Sequence, residues 1–347
     1  MIPRSDFREL APRLLAWFDR HARVLPWRAP IGTARDPYRV WLAEIMLQQT
    51  TVPHAAPYFE AFTQRWPTVE HLAAASDEDV MRAWAGLGYY ARARNLLKCA
   101  RDVAARGRFP ETSAGLRELP GIGPYTAGAI AAIAFGERAA AVDGNVDRVF
   151  ARLLALKGDW AAEKKRIAAA VSALVPEARP GDFAEALMDL GATICTPASP
   201  NCMICPLTEF CTARAEGAPE RYPMKPAKVA KPVRYGHVWV HLKKGKVWLV
   251  RRPPEGLLGG MLALPSSQWQ EGAVPEVDPP VTGDWQEAGE VRHVFTHFTL
   301  RLSVWRAAAS RNPAGEGVWA DPEKETGLPT VFAKALALAT GGKVRRR

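Results

Sequence analysis

Leu119-Pro120-Gly121-Ile122-Gly123-Pro124 constrains the backbone more than any other stretch of this chain. Leu119-Pro120 ends one helical pattern, and two glycines set between two prolines leave room only for a tight loop. Tyr125-Thr126-Ala127-Gly128-Ala129-Ile130 then opens a second helix. Glycines at 121 and 123 let the chain turn sharply and aim N–H groups outward, at a helix N-terminus whose dipole favours anions. Such a corner is either a plain helix–turn–helix junction or a sequence-blind clamp for a phosphate. Asp143 follows about one helix length later, in reach of whatever the clamp holds.

At 347 residues the chain has room for two or three domains, each with its own core. The N-terminal Met1-Ile2-Pro3-Arg4-Ser5-Asp6 lacks the apolar run of a secretory signal, and no segment reaches membrane-spanning length. These absences lead us to expect a protein in the cytoplasm and away from membranes; a monomer associated with the nucleoid is a separate expectation. Net charge is +10, and it is unevenly placed. Arg221 to Arg252 holds ten Lys or Arg and no Asp or Glu, while Gly86 to Pro110 holds six basic residues against Asp102. A polyanionic partner suits that distribution, and so does a solvated basic face.

Cys195, Cys202, Cys205 and Cys211 crowd into seventeen residues. A disulfide framework would be spread over a short secreted chain, so the cluster reads as four thiolates on one metal centre. Cys99 stands alone on a helical pattern and reads as a small buried hydrophobe.

Helical periodicity covers 5–22, 36–51, 56–65, 77–85, 91–106, 113–119, 125–136, 145–156, 163–174 and 182–191. After the cysteines, Pro219, Pro223, Pro226 and Pro232 interleave with Lys225, Lys228 and Lys231, the pattern of an extended basic linker. The period then changes. Residues 236–242 and 246–250 read as a hairpin around Lys243-Lys244-Gly245, with one further strand over 290–306 and a helix over 331–340. The expected fold is therefore a mainly α region followed by a smaller α+β domain.

Two carboxylates draw attention. Glu44 has Val40, Trp41, Leu47 and Gln48 as its helical neighbours. Desolvation there raises a carboxyl pKa and suits a general acid, although a glutamate at the edge of a buried stripe fits equally. Asp143 precedes Gly144-Asn145 and a new helix. It reads as an ordinary N-cap or as a carboxylate fixed and kept ionised by cap N–H groups. One protonated and one ionised carboxyl is what glycosidic cleavage through an oxocarbenium-like state requires. Gly86-Leu87-Gly88-Tyr89-Tyr90-Ala91-Arg92-Ala93-Arg94-Asn95 places aromatics beside arginines, suited to stacking on bases or to packing.

These residues carry a resemblance over nearly the whole chain. Leu119 to Gly123 with Asp143 resembles the helix–hairpin–helix/Gly-Pro-Asp superfamily of DNA glycosylases. Cys195-x6-Cys202-x2-Cys205-x5-Cys211 is similar to the [4Fe–4S] loop of its endonuclease III branch; zinc also takes four thiolates, but zinc ribbons usually offer two Cys-x2-Cys knuckles. Leu25-Pro26-Trp27-Arg28, Glu44 to Thr50, Gly86 to Asn95 and Val142-Asp143-Gly144-Asn145-Val146 resemble the motifs of the adenine DNA glycosylase (MutY) family. The fold implied is a helix–hairpin–helix glycosylase region over 1–213 (six-helix part about 27–135, iron–sulfur part about 1–26 and 136–213), a linker over 214–232, and a Nudix-like domain over 233–342.

The resemblance also implies roles. Glu44 would protonate adenine and later activate water, Asp143 would stabilise the sugar cation, and Tyr125 and Asn145 would hold Asp143. Trp27, Arg28 and Glu185 would bind the adenine, Gln49 and Tyr89 would wedge into the duplex, and Gly121 and Gly123 would grip a phosphate. Endonuclease III relatives carry a Schiff-base lysine where this chain has Tyr125, so base removal without strand cleavage is implied. Phe295, Thr296 and His297 stand where the family reads 8-oxoguanine with Phe-Ser-His, and Thr keeps the hydroxyl while adding a methyl. The implied activity is removal of adenine mispaired with 8-oxoguanine or guanine, and the implied partner is double-stranded DNA with an adenine:8-oxoguanine mispair. A lyase acting on damaged pyrimidines, a non-catalytic iron–sulfur DNA-binding module and a pyrophosphohydrolase are the alternatives. Tyr125 counts against the first, and the lack of an Arg-Glu-x2-Glu-Glu helix against the last.

Overall fold

The computed structural model describes residues 5–224, 230–253, 256–308, 316–322 and 327–342. The linker lysines Lys225 and Lys228 and the tail from Lys343 lie outside them. The chain forms two compact units, one from Met1–Ala74 with Asn95–Ala227, the other from Ala75–Arg94 with Lys228–Arg347. Ala75–Arg94, which in sequence interrupts the helical region, thus groups with the C-terminal residues.

Helices appear where the apolar period predicts them. They are α1 (Leu10–His21), α2 (Pro37–Leu47), α3 (Val52–Arg65), α4 (Val69–Ala73), α5 (Asp77–Trp84) and α6 (Ala91–Arg106). Then come α7 (Ser113–Leu116), α8 (Pro124–Phe135), α9 (Gly144–Leu153), α10 (Trp160–Leu174), α11 (Pro180–Thr193) and the single turn α12 (Thr212–Ala215). The periodicity over 36–51 overshoots: α2 stops at Leu47 because Gln49 takes a left-handed φ of 56°, which ends a helix at once. Helix α4 has too few residues to show a period.

Helix α8 is apolar all round and is correspondingly buried from Thr126 to Ile133. Pro124 at its first position and left-handed Gly136 at its end fix both termini. It packs against α2 and α11, and Gly181 in the first turn of α11 permits the second contact: a Cβ there would lie 2.7 Å from the Ala132 carbonyl oxygen. A second core joins α1, α9, α10 and α11 through Leu14, Phe18, Phe150, Ile167, Phe183 and Leu187. The cysteines Cys195, Cys205 and Cys211 pack on its edge.

In the second unit one mixed sheet runs in the order β3-β2-β1-β6-β5, with β4 on β1 and β7 on β2. The strands are β1 (Val233–Lys243), β2 (Lys246–Arg251), β3 (Leu262–Ala263), β4 (Gln270–Glu271), β5 (Gln286–Val294), β6 (Thr299–Ala308) and β7 (Gly317–Ala320). Helix α13 (Thr330–Thr340) covers one face through Val331, Phe332 and Ala335. Lys244 and Gly245, both at positive φ, make the tight β1–β2 hairpin. The single strand expected over 290–306 is corrected to two antiparallel strands, β5 and β6, meeting at a turn in which Phe295 N–H donates to Phe298 O (2.8 Å). Phe-Thr-His-Phe carries none of the usual turn residues. Its ring packing makes the turn instead, Phe295 lying 4.9 Å from Phe298 and 5.9 Å from Trp269.

Helices α9 and α11 approach as closely as their side chains allow, since a Cβ on Gly191 would lie 2.5 Å from Asn145 Cβ. Gly191→Ala is expected to cost about 1–3 kcal/mol through overpacking. The check is a denaturant titration, in which the midpoint should fall at unchanged slope; an unmoved midpoint would show that the helix pair yields.

Candidate active site

Three elements of the first unit bring Glu44, Tyr125 and Asp143 together. Glu44 lies in the last turns of α2 and is 7% exposed. Burial, and then the nearby carboxylates of Asp143 and Glu185, push its carboxyl up to about 7, against the opposing hydrogen bond of Tyr125 and the charge of Arg28. Tyr125, in the first turn of α8, has its hydroxyl raised well above the ordinary range by burial and then by Glu44 and Asp143. Asp143 is the N-cap of α9. Its Oδ1 accepts from the backbone N–H of Asn145 (2.9 Å) and Val146 (2.8 Å), and its Oδ2 accepts from Asn145 Nδ2 (2.8 Å). Asp143 is therefore an N-cap whose carboxylate is held by three N–H donors.

A pocket opens beside Glu44, lined by Trp27, Arg28, Arg35, Glu185 and Met188 among others, with no lysine among its described lining residues. Its free volume of about 50 Å³ holds a few waters, so a base enters only as side chains swing aside. Arg28 Nη1 and Nη2 donate to Asp189 Oδ2 and Oδ1 (2.6 and 2.8 Å), and Arg28 Nε lies 3.3 Å from Glu185 Oε1. Arg23 Nε adds a bond to Asp189 Oδ1 (2.5 Å), while Arg35 pairs with Asp182 and lies 3.4 Å from Glu185 Oε2. Trp27 packs edge-on against Phe59 at 5.5 Å. Asp189, fully buried, is the anchor that the sequence did not reveal; its place on α11 one turn beyond Glu185 is the only signal that pointed to it.

The four cysteines end in one neighbourhood, since the thiol of Cys205 lies within electrostatic reach of Cys195, Cys211 and Cys202. Among the described residues no three His, Cys, Asp or Glu are gathered as a metal-holding group. The surroundings nonetheless fit an anionic metal–thiolate group. Burial pushes the Cys205 thiol up to about 12 and raises that of Cys211, so bare thiolates are disfavoured and metal-bound ones are what the site can keep. Arg152, 1% exposed, donates Nη1 to Cys195 Sγ (3.3 Å) and otherwise bonds to the carbonyls of Thr196, Pro197 and Tyr222. None of these partners is a carboxylate, and a buried cation needs an anion nearby. Arg148 joins this loop to the site: Nε donates to Cys195 O (2.7 Å), and Nη2 to Gly191 O (2.6 Å) and Asn145 Oδ1 (2.9 Å). Burial lowers its pKa, against the nearby thiol of Cys195.

Of the residues expected to meet DNA, Gly121 adopts φ 78° and closes against Asn95, which a Cβ would meet at 2.8 Å. Gly123 caps α8 with open space on its Cα side. Gln49 is exposed just past α2. In the second unit Tyr89, 48% exposed and at φ 48°, donates or accepts a 2.8 Å bond with Thr296 Oγ1. Arg92 holds that loop, donating to the carbonyls of Leu87 and Gly88 (3.0 and 3.2 Å) and stacking over Trp84 and Tyr89. His297 lies in the β5–β6 turn with Phe295 and Thr296.

Residues 42–177 match the HhH-GPD superfamily of base excision DNA repair proteins, and residues 237–338 match a NUDIX domain. The adenine DNA glycosylase of Homo sapiens is 35% identical over 360 residues, covering 85% of this chain and 66% of the human one, so the chain spans about two thirds of that relative. The adenine DNA glycosylase of Buchnera aphidicola subsp. Acyrthosiphon pisum is 34% identical and covers 84% of each chain. A solved structure of a thermostable thymine-DNA glycosylase superposes with a TM-score of 0.54 at 30% identity, covering 61% of this chain and 98% of its own. Identity at the Buchnera level over most of both chains shows the family: the protein belongs to the adenine DNA glycosylases within the HhH-GPD superfamily.

Proposed function

We propose that the protein is a monofunctional glycosylase that removes adenine from duplex DNA where it is paired with 8-oxoguanine, acting as a monomer with the nucleoid in the cytoplasm. One observation carries the reading: a buried carboxyl poised near neutrality, Glu44, lies within electrostatic reach of a second carboxylate, Asp143, which three N–H donors fix. Among the described residues no helix is long and apolar enough to cross a membrane.

An extruded adenine enters beside Trp27, held by Arg28 and Glu185. Protonated Glu44 gives its proton to the ring nitrogen N7, the N-glycosidic electron pair leaves with the base, and a cation develops on the sugar. Asp143 faces that cation, with Asn145 and Tyr125 holding it in place. Glu44, now a carboxylate, takes a proton from water, and the resulting hydroxide closes on the sugar carbon. With Tyr125 in place of an amine, no Schiff base forms and the strand stays whole. Gly121 and Gly123 grip the backbone, Gln49 and Tyr89 enter the duplex, and Phe295, Thr296 and His297 read the opposing lesion. Cys195, Cys202, Cys205 and Cys211 would hold a [4Fe–4S] cluster, which when bound supplies a fixed anionic scaffold for the loop that Arg148 and Arg152 face.

Single-turnover base release from a duplex with adenine opposite 8-oxoguanine tests the activity. Adenine loss with strand breakage only after alkali is expected, and Glu44→Gln or Asp143→Asn should slow it by about 10²–10⁴-fold. Preferred release of thymine opposite guanine would overturn the substrate. Because the acid must be protonated, the single-turnover rate should fall as pH rises through about 7; a rate flat from pH 6 to 9 would remove Glu44 from the proton step. Iron and acid-labile sulfide should be found in the purified protein and be lost from Cys202→Ala, whereas zinc without sulfide would overturn the cluster.

A further inference from the structure

The second unit carries a basic cavity that the proposed chemistry does not use. It is an open pocket of about 540 Å³, with Arg234, Arg251, Arg252, Ser266, Gln268 and Trp269 on its wall and no carboxylate among its described lining residues. Three cations therefore face one space. Arg234 is offset in part by Glu271 at 3.8 Å, a well-exposed pair whose attraction water screens. Arg251 is held by a bond from Nη1 to Gly260 O (2.9 Å).

Arg252 is the informative one. Its guanidinium lies over the Trp269 ring at 5.2 Å, and its buried Nε has no hydrogen-bond partner among the described residues. Burial alone lowers its pKa. A half-buried cation with no counter-charge among the described residues is costly, and an anion in the pocket would remove that cost. Trp269 Nε1, also buried, likewise lacks an acceptor among the described residues. Planar guanidinium forks match the oxygens of a phosphate far better than they match a monatomic ion.

We infer that this pocket is a phosphate-binding site, formed by Arg252 and Arg251 with Arg234 and Ser266 at its sides. The occupant is a phosphate group, either a diester of bound DNA or free phosphate. Trp269 ties the site to the β5–β6 turn, since its ring stacks with Phe295 at 5.9 Å while Arg252 lies over it. A phosphate that fixes Arg252 thereby steadies the turn carrying Thr296 and His297. Phosphate binding is independent of the proposed reaction; only the DNA source rests on that reading.

The test uses the full chain, Arg252→Ala, and Arg251→Ala as a milder change on an exposed side chain. Inorganic phosphate is titrated against intrinsic tryptophan fluorescence, with Trp269→Phe identifying the responding ring. Separately, affinity for an undamaged duplex is measured against KCl concentration. A saturable phosphate signal that weakens at least tenfold in both arginine variants supports the site. A salt slope flattened by about 1 per arginine removed identifies the occupant as a DNA diester; an unchanged slope beside the lost phosphate signal identifies free phosphate. If both variants melt like the parent and neither readout moves, the site is overturned. Base release by the parent protein is measured in parallel and reads the glycosylase without these variants, so failure here is separable from failure of the glycosylase reading.

Discussion

A carboxyl group buried beside a second carboxylate cannot hold a full charge at neutral pH, and much of the first unit follows from that constraint. Glu44 is out of water, with Asp143 and Glu185 adding negative potential. Raising its pKa to about 7 from an ordinary 4.5 corresponds to a cost on the order of 3 kcal/mol for keeping it ionised in the fold. The sign is fixed by the direction of the shift. Glu44 contributes stability that is complete below the unfolded pKa and is lost as pH rises through the folded one. The same strain that weakens the fold at high pH makes the group a competent proton donor near neutrality.

The remaining charges keep that strain local. Asp189, Arg28, Glu185, Arg35, Asp182 and Arg179 alternate in sign along one face of α11 and the segment before α2. Buried carboxylates are tolerable when paired, and Asp182 and Asp189 are each shared by two arginines. Glu185 is less fully satisfied: burial raises its carboxyl against the pull of Arg28 and Arg35. A group with spare acceptor capacity in the pocket wall is suited to meeting the amino edge of a base. Arg28, clamped on both forks by Asp189, gives that wall a fixed geometry rather than a flexible one.

What the sequence disclosed is what local rules control. The all-apolar α8, the cap at Asp143, the hairpin at Lys244-Gly245 and the cysteine spacing are each written in neighbouring residues, and they place the helical and mixed regions. The juxtaposition of Glu44 with Asp143 is not local, because it depends on α8 packing against both α2 and α11, and on α11 holding α9. Arg148, Arg152 and Asp189 were equally hidden, since a lone charged residue on an amphipathic helix looks like a solvated one until its partner is seen. The turn at Phe295–Phe298 was missed for a related reason. Its stability comes from Trp269, Phe298 and Phe332 beneath it rather than from residues that favour turns.

Arg148 shows why the cysteine loop belongs to the same argument as the carboxylates. Asn145 must present its amide nitrogen to Asp143, and an isolated side-chain amide has no preference for that over the flipped orientation. Arg148, a donor only, fixes the choice by taking the amide oxygen. Arg148 is itself fixed by the carbonyls of Gly191 and Cys195. The first lies where α11 presses on Asn145, and the second is the first residue of the cysteine loop. A continuous run of hydrogen bonds therefore leads from Cys195 through Arg148 and Asn145 to Asp143. Any group that orders the cysteine loop orders the orientation of Asn145, and with it one of the three donors on Asp143.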